Sequence, residues 1–303
     1  MTRAATIALA CVVTFAWLWN PGHAPRYDNA DGGYPDFRAE VYGGAPKGIC
    51  YRILVPYIAR AAHLASPPLD QMANLIPMRY MRLDQDMMTA HVAVAGISFA
   101  GYLALGWFAG PLALLLAWAA IGPHGGLGDP VTLGAFALGV WALEKRQARA
   151  FWLAFVIAAL NRETAPLLLV WWCLSGRSIR AAVAALGFWC IMRGLLGLAY
   201  ADNSMEMCWP MLAHNIKSIT PLSATSLFAF SGAWLLIVRG MRTMQDWERR
   251  GLVIGFVALT SMAILWSRPE RLRSYLELVP LAALAIERGI NICLDRSATK
   301  HDC

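Results

Sequence analysis

Apolar residues fall along the chain in long runs that short polar or Gly/Pro-containing breaks separate. The runs cover 4–19, 53–65 with Pro56 inside it, 91–121 with a Gly110-Pro111 break, 131–143, 151–160, 165–174, 181–200, 221–238, 252–266 and 275–286. The longer ones, of roughly 15 to 20 residues, predict membrane helices, since one globular core of this size cannot hide them all. Several are too short to cross about 30 Å of hydrocarbon at about 1.5 Å per residue, so half-helices, tilted helices or helices buried behind others are expected among them. The expected fold is all-α, a polytopic transmembrane bundle of roughly 8–10 spans that includes short or re-entrant helices. No repeat, low-complexity tract or soluble domain interrupts the pattern, which makes 1–303 a single integral membrane domain.

Composition points the same way. Hydrophobic residues make up 58% of the 303 and charged residues 15%, against about 45–50% and 25% in soluble domains. The first run also has the length and flanks of a secretory signal cleaved after Ala24, although a signal anchor of a multi-span protein has the same form. Lysine and arginine number 26 against 19 acids, a net charge of +7. These bases cluster between apolar runs instead of forming a stripe interleaved with aromatics, so nucleic-acid binding is not expected. Basic clusters favour the cytoplasm. Lys145, Arg146 and Arg149; Arg177 and Arg180; Arg239, Arg242, Arg249 and Arg250; and Arg288, Arg296 and Lys300, with Arg3, all sort to one face. Both termini are then cytoplasmic, and 20–51, 122–130, 201–220 and 267–274 lie outside. The segment 151–174 starts and ends on the same side, with Asn161-Arg162-Glu163-Thr164 at its centre. Two half-helices of about 10 residues span only about 15 Å each, which suits a hairpin lifting this polar turn into the membrane interior or a cavity. One continuous span with Arg and Glu near mid-bilayer is the alternative.

Seven cysteines without metal-ligand spacing give no zinc site, and Cys11, Cys173 and Cys190 sit in apolar runs as small hydrophobes. Cys50 and Cys208 fall in outside loops, where an oxidising compartment would let them pair and a reducing one would leave two free thiols.

Three polar features stand out. The first outside loop, 20–51, carries Asp28, Asp31, Asp36 and Glu40. A carboxylate at the lipid boundary acts as general base on a sugar hydroxyl or, with neighbours, holds a divalent metal. Equally, these acids offset Arg26, Arg38, Lys47 and Arg52 in a solvated loop. The second feature, Arg268, Arg271 and Arg273 around Glu270, sits against the orientation rule. Such a cluster suits the phosphate of a lipid headgroup, held by forked charge-assisted hydrogen bonds, unless Glu270 and the first-loop acids neutralise it. In the third feature, Arg162 and Glu163 are adjacent and point apart on a helix, which favours partners on other spans, as substrate contacts or structural ion pairs. The glycine-rich 122–130 lacks a phosphate-loop Lys-Ser/Thr and reads as an outside turn, with His124 and Asp129 minor candidates.

With Asp36-Phe37 and Tyr42 in an outside loop after one span, Tyr51-Arg52-Ile53-Leu54-Val55-Pro56, the polar Asn161-Arg162-Glu163-Thr164 and the late Glu270-Arg271 to Pro280, the chain resembles the GT-C superfamily of polytopic membrane glycosyltransferases. The likeness is to bacterial members that use polyprenyl-phosphate sugars in the cytoplasmic membrane. The resemblance implies transfer of a sugar from a lipid-phosphate carrier to an extracytoplasmic glycan or lipid acceptor. It also implies Asp36 as base, with Asp31 and Glu40 as the nearest substitutes, and Arg271 or Arg273, beside Arg268, on the carrier phosphate. Arg52, Arg162 and Glu163 are expected as cavity or structural polar groups. A transporter or flippase for lipid-linked sugars, or a scaffold subunit, is the competing class; no inverted repeat supports the flippase.

Overall fold

The computed structural model describes residues 3–18, 41–43, 53–66, 87–121, 129–202, 231–266 and 272–298. Among these residues the chain is all-α and holds no strand. In chain order the helices are α1 (Arg3–Leu18), α2 (Leu54–Ala65), α3 (Met88–Ala109), α4 (Pro111–Ile121), α5 (Asp129–Glu144), α6 (Ala148–Asn161), α7 (Pro166–Leu174), α8 (Ile179–Ala199), α9 (Ser231–Gly240), α10 (Asp246–Trp266) and α11 (Val279–Ala298). A 3-10 segment, Leu272–Leu278, kinked at Tyr275, leads into α11.

Each apolar run has its helix, and the breaks have local causes. Gly110, at φ 84°, ends α3 in a conformation that glycine adopts freely, and Pro111 then starts α4 where no N–H is needed. Pro166 opens α7 in the same way. Two helices outrun their apolar runs. α10 begins at Asp246 instead of 252, because Glu248 folds back to accept the Gln245 N–H at 2.8 Å and acids suit a helix N-terminus. α11 continues past 286 because Arg288 finds a carboxylate there.

Packing sets α5 at the centre. Thirteen of its sixteen residues are buried, so it faces other helices on nearly every side. One apolar core, built on Phe136, Phe151, Leu168, Trp171 and Leu281, lies on one side of it. A second, around Val55, Tyr102, Leu105 and Leu114, lies on the other. Close helix crossings rest on glycine: a Cβ at Gly101 of α3 would overlap Pro130 O of α5, and one at Gly240 of α9 would overlap Ala285 O of α11. α8 is the opposite case, with Ala182 its one buried residue. By length and composition, α3 and α8 are long and apolar enough to cross a membrane.

The turns sort to two ends. At one end the Phe151 and Trp172 rings meet at a tilt with centroids 4.6 Å apart, Trp171 Nε1 donates to Gly251 O at 3.2 Å, and Arg288 reaches Glu248. Here the basic turns after α5, α7 and α9 gather. The ring contact between the start of α6 and the end of α7 also shows that 148–174 is a hairpin, its tip at 162–165. Fourteen residues of α6 place that tip about 21 Å from the basic end.

Candidate functional site

The hairpin tip carries the buried charge. Arg162 caps α6 in extended conformation, which swings its side chain out of the helix. The exposed carbonyls at that helix end are taken one by one: Ala158 O accepts the Arg162 N–H, Ala159 O accepts Arg193 Nη2 from α8, and Leu160 O accepts the Ile53 N–H at the start of α2. The residue after Arg52 is thus tied to the hairpin tip. Arg52 itself lies outside the described residues.

Arg162 meets two carboxylates. Its Nη1 donates to Asp129 Oδ1, at the first residue of α5, over 2.5 Å. Its Nε stands 2.8 Å from Glu277 Oε1, in the 3-10 segment. That second contact is an ion pair without a hydrogen bond, because the Nε–H points off line. Thr164 Oγ1 donates to the same Glu277 Oε1, and Asn161 Nδ2 donates to Thr132 Oγ1 at 2.7 Å, one turn into α5. The side chains of Asp129, Arg162 and Glu277 are 1%, 9% and 0% exposed. Asp129 sits favourably at the positive N-terminal end of α5, and Arg162 at the negative C-terminal end of α6. Glu277 Oε2 is buried and has no hydrogen-bond partner among the described residues. Two carboxylates share one guanidinium, and one oxygen remains open.

Residues 42 and 43 pack on α2 and on Tyr200. Val41 is buried, while Arg60 of α2 lies 5.2 Å over the Tyr42 ring, and His63 meets that ring edge-on at 6.1 Å. Gly43, at φ 78°, packs on Tyr200 just past α8, and Tyr57 of α2 reaches the Tyr200 hydroxyl at 3.4 Å.

Of the residues singled out from sequence, Asp31, Asp36, Glu40, Arg52, Arg268 and Arg271 lie outside the described residues, as do Cys50 and Cys208. Arg273 falls in the 3-10 segment that holds Glu277, and its side chain is outside the description. Arg162 is buried and Glu163 exposed, so the two do point apart, and Arg162 takes its partners from other elements. Of the two acids that carry the cluster, Asp129 was a minor candidate in the sequence and Glu277 was not singled out. Asp129 is the first helical residue of α5, not part of an outside turn. Glu277 sits inside what reads as the apolar run 275–286, where a lone carboxylate was itself the available signal. No group of three or more His, Cys, Asp or Glu side chains able to hold a metal ion occurs among the described residues.

The fold is thus an all-helical bundle with a sealed, charged cluster at the tip of an internal hairpin. The chain matches no protein-family model, no curated protein and no solved structure.

Proposed function

We propose that this chain is a polytopic membrane glycosyltransferase, which moves a sugar from a polyprenyl-phosphate carrier to an acceptor hydroxyl on the extracytoplasmic side. The bundle lies in a bacterial cytoplasmic membrane with both termini and the basic turns inside. Asp36 takes the acceptor proton, and Arg271 with Arg273 stabilises the phosphate as the leaving group gains charge. The single observation that supports this reading is a convergence. Ile53 at the end of the first loop, the Arg162 turn and the 3-10 segment that contains residue 273 all meet at the end of the bundle away from the basic turns. Ile53 and the start of the 3-10 segment, 219 positions apart in sequence, are thereby attached to one small framework.

The experiment is sugar transfer by the purified chain with a polyprenyl-phosphate sugar. Asp36→Asn keeps shape and should reduce the rate by about a hundredfold or more at normal membrane expression. Arg271→Lys keeps charge but loses the fork, so donor binding should weaken more than turnover. Transfer by Asp36→Asn at the parental rate would remove the base assignment. A second reading, carriage of a lipid-linked sugar, is favoured by one feature: ionisable groups sealed in the core of a membrane bundle are typical of translocation pathways. Uptake of such a lipid into vesicles without any transfer would favour it.

A further inference from the structure

We propose that the turns after α5 and α7 together bind the headgroup of an anionic phospholipid in the leaflet at the basic end of the bundle. The inference rests on the proposed membrane location and does not depend on sugar transfer.

Aromatic packing brings the two turns together. Phe151 and Trp152, near the start of α6, meet Trp172 of α7 with ring centroids 4.6 Å and 4.8 Å apart. Trp172 Nε1 donates to Ser178 O at 3.0 Å, which holds the second turn against the same ring. Residues 144–149 and 175–180, gathered here, hold five bases and one acid. The acid, Glu144, stands 4.0 Å from Lys145, and the Arg177 guanidinium lies 5.3 Å over the Trp172 ring. Arg146, Arg149 and Arg180 are exposed, and their side chains make no ion pair or hydrogen bond among the described residues. Such an excess beside interfacial tryptophans is complementary to lipid phosphate.

The backbone supplies an independent observation. Both turns close in the same way: Gln147 N–H returns to Ala142 O at 2.8 Å and Arg177 N–H to Trp172 O at 3.3 Å. Each closure needs one residue in the left-handed region, and these are Gly176 at φ 75° and Arg146 at φ 56°. Glycine adopts that conformation freely, whereas arginine is strained in it. The first turn therefore keeps a guanidinium where glycine would fold more easily, and strain retained in this way points to use of the side chain.

Apolar surface favours a lipid over a free anion. Ile179, Val183 and Leu186 form one exposed stripe of α8 that starts at the basic turn, and Leu153 is exposed on α6. A headgroup held at the turns sets its acyl chains along these side chains.

The test is thermal melting of the purified full chain in detergent, followed through its 13 tryptophans. Phosphatidylglycerol is titrated against phosphatidylcholine at constant ionic strength. A ligand that binds only the folded state raises the melting temperature with concentration, so a saturable rise with phosphatidylglycerol alone is expected. Arg146→Gly should melt at or above the parent without lipid, because strain is relieved, yet need about fivefold more phosphatidylglycerol for half the rise. The double variant Arg149→Gln, Arg180→Gln should need about twentyfold more. Arg242→Gln, in the turn after α9, should keep the parental response. Equal responses to the two lipids, an equal rise with inorganic phosphate, parental lipid affinity in Arg146→Gly, or equal weakening in Arg242→Gln would overturn the site. Recovery of the chain in the soluble fraction without detergent would overturn the membrane location along with it.

Discussion

Two fully buried glutamates, Glu248 and Glu277, have been treated differently by the fold. Glu248, in the first turn of α10, meets one guanidinium in full: Arg288 Nη1 at 2.8 Å, Nη2 at 3.3 Å, and the Gln245 N–H at 2.8 Å. Arg288 Nη1 also donates to Thr243 O. Charge is balanced one to one and both carboxylate oxygens have donors, which is what a structural clamp between α10 and α11 requires. Glu277 shares its guanidinium with Asp129 and keeps one oxygen open. Burial alone therefore does not mark a functional charge. Satisfaction is what differs: Glu248 has a donor on each oxygen, whereas Glu277 has none on Oε2 among the described residues.

The largest test of this contrast removes the shared cation. Arg162→Met leaves two buried carboxylates facing each other. Removing one partner of a buried pair costs about 3–5 kcal/mol, and Arg162 pairs with two buried carboxylates at once. The expected outcome is a protein that no longer elutes as a folded monodisperse species. A folded Arg162→Met variant with parental melting would mean the trio is not sealed.

Glu248→Gln comes next. Arg288 is 23% exposed and recovers some hydration, so the loss is smaller, about 2 kcal/mol, read as a lowered melting temperature. Thr164→Val removes one hydrogen bond to a charged acceptor and should cost about 1.5 kcal/mol, checked by the same melt.

Much of this was legible beforehand, for physical reasons. Helices follow hydropathy, so the runs at 91–121 and 181–200 reappear as α3, α4 and α8, and the Gly110-Pro111 break falls where the backbone requires it. The hairpin of α6 and α7 was favoured over one continuous span because a polar tetrapeptide between two short apolar segments suits a turn. Partners are a different matter. Arg162 adjoins Glu163 yet binds Asp129 and Glu277, 33 and 115 positions away in opposite directions along the chain. No local pattern encodes such a pairing. Asp129 was hidden by a glycine-rich neighbourhood that resembles a loop, and Glu277 by the apolar residues around it. Glu248 lies before the apolar run 252–266 and Arg288 after the run 275–286, and their meeting across 40 positions explains why both helices extend further.

The most direct test compares the thermal melting of Glu248→Gln with that of Glu277→Gln. Replacing Glu277 removes a carboxylate that meets Arg162 without a hydrogen bond and whose Oε2 has no donor among the described residues, so that variant should melt at or above the parental temperature. Glu248→Gln should melt several degrees below it. Equal losses in the two variants, or a greater loss in Glu277→Gln, would contradict the claim that the fold satisfies one glutamate fully and the other only in part.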